Sequence, residues 1–159
     1  MRALLCVALL LGLAGFAAAS TSGSPVFRRA DGSAIVFPPG VRAWCDRTGL
    51  IVVSLGRTRQ SHWELDVARR NLRPGRIIRF SWLHERGVVI FVYDATTRNE
   101  ASQGGEGSRG TVTPRRATCK RGGALAIGLS GKIASEFSDG TPVRVSGTYR
   151  GRVGPPPGR

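Results

Sequence analysis

Residues 124–133, ALAIGLSGKI, and 143–153, VRVSGTYRGRV, decide the fold. In the first stretch Leu125, Ile127, Leu129 and Ile133 take one side of a period-two pattern. Ala124, Ala126, Gly128, Ser130 and Lys132 take the other. In the second, Val143, Val145, Tyr149 and Val153 alternate with Arg144, Ser146, Thr148, Arg150 and Arg152. Successive side chains of an extended chain point to opposite faces, so both stretches read as strands with one apolar side. A slip of one residue in the second would bury three guanidinium groups, which makes its register strongly specified. Ser138-Asp139-Gly140 supplies the turn between them. The small residues of the first stretch leave a shallow exposed surface or admit another backbone closely.

The same period extends upstream. Residues 41–45 and 50–55 are rich in Val, Ile, Leu and Trp and are separated by Asp46-Arg47-Thr48-Gly49, a turn composition. Trp63, Leu65 and Val67 share a face, with Glu64 and Asp66 opposite; after Pro74-Gly75, Ile78, Phe80 and Trp82 share another. His84-Glu85-Arg86-Gly87 reads as a hairpin connection into 88–93, which is apolar on both faces and so belongs in the middle of a sheet. No window shows a sustained helical stripe; 65–73 is the nearest, and Pro74 limits it. About eight or nine short strands in roughly 135 residues predict an all-β, antiparallel β-sandwich, with a small β-barrel as the alternative. The polar, Gly-rich 95–110 reads as a long flexible loop, and 154–159 as a Pro/Gly tail.

The N-terminus reads as an address. Met1 and Arg2 precede an apolar run over 3–16, and Ala17-Ala18-Ala19 closes it, the pattern of a secretory signal peptide cleaved after Ala19. A single domain over 20–153 then follows, with no second long apolar stretch. Removing the leader takes away Cys6 and leaves Cys45 and Cys119, which in an exported chain read as one disulfide. It closes a loop of about 75 residues, on the order of 4.5 kcal/mol of restriction on the unfolded chain. The expected location is therefore secreted or periplasmic. Arginine in place of lysine, and no Asn-x-Ser/Thr sequence, suggest GC-rich bacterial codons.

Reactive constellations mostly fail. Gly128-Leu129-Ser130-Gly131 lacks the spacing of a nucleophile elbow, and Gly131-Lys132 is followed by Ile133 where a phosphate loop needs Ser or Thr. His84-Glu85 begins like a zinc-protease helix, but no second histidine follows four residues on. His62 and His84 are the only histidines, each with carboxylates near in sequence, so a small hydrolase using a His/carboxylate pair is the enzyme alternative. Glu64 and Asp66 stand about 7 Å apart on one strand face and read as a solvated ion-pair face with Arg57, Arg59, Arg69 and Arg79. No catalytic residue, metal ligand or cofactor is assigned.

Charge is the remaining clue. The 159 residues hold 24 Lys plus Arg against 10 Asp plus Glu, a formal +14; loss of Arg2 with the leader leaves +13. A 41% apolar content is enough for one core and, at this length, for one ordinary domain. Residues 109–121 hold Arg109, Arg115, Arg116, Lys120 and Arg121 with no acid. Residues 142–159 hold Arg144, Arg150, Arg152 and Arg159, again with none. Guanidinium forks pair with phosphate, sulfate or carboxylate at two points, so these arginines are the expected contact surface of a non-catalytic binding or structural module. The expected partners are an anionic glycan, lipopolysaccharide or an acidic protein. Nucleic acid is disfavoured by export and by the lack of exposed aromatics interleaved with the arginines. A third reading is an envelope-assembly or inhibitor protein that binds through an exposed strand edge.

Overall fold

A computed structural model describes residues 23–56, 59–84, 86–135 and 141–157. The expected signal peptide, the turn at Ser138-Asp139-Gly140, Arg57, Glu85 and Arg159 lie outside them. The chain is all-β and antiparallel. Its strands are β1 (Val26–Arg28), β2 (Val41–Cys45), β3 (Gly49–Ser54), β4 (His62–Ala68), β5 (Ile78–Ser81), β6 (Val88–Asp94), β7 (Asn99–Ser102), β8 (Arg109–Arg116), β9 (Ala124–Ser135) and β10 (Val143–Arg152). Among the described residues a single 3-10 turn, Arg69–Asn71, follows β4.

The ten strands form one continuous sheet that curls into a half-barrel rather than two separate sheets. One half runs β2-β3-β4-β6-β7, the other β5-β8-β9-β10-β1. They join through β9, which is 12 residues long. Its first part pairs with β8 up to Lys132, and its end pairs with β7 through Ala101↔Ser135 and Ser102↔Ala134. The strands outnumber those expected because β1 and β7 carry too few residues to show a period of their own.

The register places apolar residues inward as the alternation requires. Leu125, Ile127, Leu129, Ile133, Val143, Val145, Tyr149 and Val153 are all buried. From the other half come Leu50, Val52, Trp63, Leu65, Val67, Val88, Ile90 and Val92. Trp63 spans the two, with Phe27 at 5.7 Å and Tyr149 at 6.2 Å between ring centroids. Room for the core depends on two facing glycines. Gly110 and Gly131 are partners across β8 and β9. A Cβ on Gly110 would lie 2.6 Å from the Phe80 ring, and one on Gly131 would lie 2.8 Å from the Gly110 backbone. Phe80 therefore fills the space that two side chains would have taken.

Three expectations change. The segment 95–110 is not one long loop: it contains β7, and the turn after it is folded inward. Gln103 is buried, accepts a hydrogen bond on its side-chain oxygen from the Ile90 N–H, and donates its own backbone N–H to the Ile90 carbonyl. The Ser108 hydroxyl donates to the Ser102 carbonyl and accepts from the Ala134 N–H. The polar residues that suggested a loop replace strand pairing with side-chain bonds. Trp82 does not continue the buried face of Ile78 and Phe80; it sits 43% exposed on the turn after β5. Finally, β6 is central in its half but one-sided, because Val89 is exposed and Phe91 and Tyr93 are only partly covered.

Long-range ties close the molecule. The disulfide joins Cys45 of β2 to Cys119 in the turn before β9. The Gly154 N–H donates to the Ala43 carbonyl at 2.7 Å, which brings the chain just beyond β10 to the free edge of β2. Arg29, just past β1, grips Asp94 at the end of β6 with two bonds, at 2.6 and 2.9 Å.

Candidate anion-binding face

Strand identity separates the charge. The strands β1, β5, β8, β9 and β10 carry nine cations and no carboxylate. The strands β2, β3, β4, β6 and β7 carry Arg42 alone against Glu64, Asp66, Asp94 and Glu100. The acid-free stretches of the sequence thus fall on one half of the sheet, and the strands of the other half carry the carboxylates.

Register then orders the cations. Arg109, Lys132, Arg144 and Arg28 are successive partners across β8, β9, β10 and β1, so they form one row on the outer face. Strands lie about 4.8 Å apart, so the row is roughly 14 Å long. On the other side of the face Arg116, Ala126 and Arg150 form a second row. Between them lie two rows without charge: Thr111, Ser130 and Ser146, then Thr113, Gly128 and Thr148. Arg79 of β5 extends the first of these, opposite Thr111. The Arg115 guanidinium approaches Gly128, since a Cβ there would meet its Nε at 3.4 Å.

The end of this half gathers more arginine. The Gly75 N–H donates to the Pro114 carbonyl at 2.7 Å, which brings the segment Arg69-Arg70-Asn71-Leu72-Arg73-Pro74-Gly75-Arg76 against the end of β8. Arg69, Arg70, Arg73 and Arg76 are exposed there, as are Arg115, Arg116, Lys120 and Arg121. The Arg152 guanidinium donates to the Gly122 carbonyl, holding the end of β10 beside the turn that carries Lys120 and Arg121. Among the described residues the only ion pair is Arg29–Asp94. The cations of this face therefore have no carboxylate within salt-bridge distance among those residues.

The sequence-selected arginines thus come together in two groups: Arg109 and Arg144 in one row; Arg115, Arg116, Arg150, Arg152, Lys120 and Arg121 toward the other end. Sequence reasoning missed Lys132, Arg28, Arg79 and the 69–76 segment. Lys132 and Arg28 are isolated in the chain and join a cluster only by cross-strand pairing. The signal for 69–76, four arginines in eight residues with no acid, was legible in the sequence.

The opposite half carries the carboxylates. Glu64 and Asp66 have no cation within salt-bridge distance among the described residues, Arg57 lying outside them, and Asp66 Oδ1 is buried without a hydrogen-bond partner. Burial pushes the Asp66 carboxyl up to about 6, with the charges of Glu64 and Asp46 adding to it. Arg69 and Arg79, close in sequence, are carried instead to the 3-10 turn and to the outer face of β5.

The two histidines are far from a shared site. His62 places Nδ1 3.0 Å from the Gln60 carbonyl and packs beside Phe91 and Tyr93 at 5.7 and 5.4 Å. His84 is exposed on the turn closed by its backbone bonds to Ser81. A pocket lined by Phe37, Pro38, Val41, Ser54 and Trp63 holds no titratable side chain, and the Ser54 hydroxyl is taken up by the Trp63 backbone. No group of three or more His, Cys, Asp or Glu able to hold a metal ion occurs among the described residues.

The geometry defines an all-β domain with a disulfide and one cationic, carboxylate-free sheet face. Compared with protein families, curated proteins and solved structures, the chain shows no significant match.

Proposed function

We propose that the protein is an exported, non-catalytic binding module whose arginine-rich face takes an anionic ligand. The observation that carries this reading is the separation of charge between the halves of the sheet: nine cations and no carboxylate on one, four carboxylates and one cation on the other. Arginine spread only for solubility has no reason to exclude acids from five strands drawn from three separate stretches of the chain. Such a face raises the local concentration of anions and speeds their encounter. Export to a secreted or periplasmic location is supported by the leader composition, and a disulfide is compatible with an oxidising compartment.

The test is retention on immobilised polyphosphate as salt is raised. Wild type is expected to bind at low salt and to elute as the ionic strength approaches and passes the physiological range. A variant carrying Arg109→Gln, Lys132→Gln and Arg144→Gln should elute earlier. Its binding constant should also depend less steeply on salt, by about one unit of logarithmic slope for each phosphate left without its cation. Absence of retention at low salt, or retention that survives about 1 M salt, sinks the reading.

A further inference from the structure

The same face carries a second kind of chemistry. Between its two rows of cations stand five hydroxyls: Thr111 and Thr113 on β8, Ser130 on β9, Ser146 and Thr148 on β10. Among the described residues none of the five side chains makes a hydrogen bond to another protein group, whereas Ser54, Ser61, Ser102 and Ser108 in the other parts of the sheet all do. Ser130 and Ser146 are exposed, and the three threonines are half-exposed. Gly128 and Ala126, in register beside them, keep the middle strand low. Apart from the Arg115 side chain, whose Nε reaches over Gly128, the floor is therefore low, about 10 Å across its three strands and about 20 Å between the cation rows. No aromatic ring is exposed on its five strands, since Phe27, Phe80 and Tyr149 all point into the core.

We infer that this floor binds an acidic polysaccharide, a sugar chain bearing carboxylate, sulfate or phosphate groups, laid along β8, β9 and β10. The inference rests on the anion-binding reading and names the ligand of that face. Each Ser or Thr hydroxyl both donates and accepts, as sugar hydroxyls do, so a lattice of five can exchange bonds with a chain of sugars in many registers. The arginines on either side hold its charged substituents at two points each, and Lys132 adds a point charge. Nucleic acid fits less well, because single strands are held largely by stacking of bases on aromatic side chains and this floor offers none. Asp31 and Glu106 lie in the turn after β1 and in the turn before β8, not on the floor.

The experiment compares full-length mature protein binding to three probes of matched charge: a heparin decasaccharide, polyphosphate and duplex DNA. A variant with Thr113→Val, Ser130→Ala and Thr148→Val removes three hydroxyls and leaves every cation in place. It is expected to lose about tenfold in affinity for the heparin fragment and to keep its affinity for polyphosphate within about twofold. Ser130→Trp, which raises a bulky ring from the floor at an exposed strand position, serves as a second variant should the first fail to fold, and should produce the same selective loss. Equal loss for both probes, no loss for either, or tighter binding of wild type to DNA than to the heparin fragment overturns the polysaccharide and leaves the anion-binding face standing. Failure of wild type to bind any of the three at low salt overturns both.

Discussion

Two aspartates in similar strand settings are driven in opposite directions by what surrounds them. Asp94 is 1% exposed, and its burial alone would raise its carboxyl. Bonds from the Arg29 guanidinium, the Thr97 hydroxyl and the Thr96 N–H outweigh that burial and hold it below its ordinary value of 3.8. Asp66 has the burial without such bonds and rises to about 6. The consequences for stability have opposite sign. The Asp94 contribution is complete above the unfolded value and is lost as pH falls through the lowered folded value. Asp66 as a carboxylate burdens the fold at neutral pH, so the fold gains stability as pH falls through about 6, a gain complete near 4. Asp66→Asn is accordingly expected to be more stable than wild type by about 1 kcal/mol at pH 7, a figure reduced for partial solvent screening, and no more stable at pH 4. Asp94→Ala should cost about 2 kcal/mol at pH 7, since it leaves a charged donor without its partner. Urea unfolding of both variants at several pH values measures the two effects. A stability difference for Asp66→Asn that does not shrink toward pH 4 contradicts the account of that residue.

At the scale of the element, the strand pattern was readable wherever one face is apolar and the strand is long. In β9 and β10 every residue assigned inward is buried, because a one-residue slip is costly where large side chains alternate with arginines. Legibility failed at the turn after β7. There Gln103, Gly105 and Ser108 are buried although their types suggest solvent. Sequence composition reports side-chain preference for water, and it cannot report that a hydroxyl meets the Ala134 N–H 26 residues away. Ser108→Ala removes that acceptor and leaves a buried N–H unpaired, so it should destabilise the protein by about 1–2 kcal/mol. Hydrogen exchange gives a sharper reading: the Ala134 amide should exchange faster in the variant by a larger factor than amides in β3. An unchanged Ala134 rate contradicts the hydrogen bond assigned from the Ala134 N–H to the Ser108 hydroxyl.

Across the whole molecule, β2 is an edge strand of the curled sheet, and covalent and backbone ties hold it to the turn before β9 and to the chain just beyond β10. The disulfide joins cysteines 74 residues apart in the chain. Its loss removes on the order of 4 kcal/mol of unfolded-state restriction, so a Cys45→Ala/Cys119→Ala variant should unfold at distinctly lower urea concentration than the oxidised protein. An equal midpoint for the two contradicts that role. Local alternation and counting along the chain were enough for the all-β, antiparallel class, for the inward faces of β9 and β10 and for the pairing of Cys45 with Cys119. That the strands form one sheet, that β8 and β7 share the length of β9, and which arginines become neighbours depend on long-range pairing. Arg28, Arg109, Lys132 and Arg144 are scattered along the chain and stand side by side because strand pairing brings them into one row. Charge clusters of this kind are made by register across strands, a relation that no window along the sequence contains.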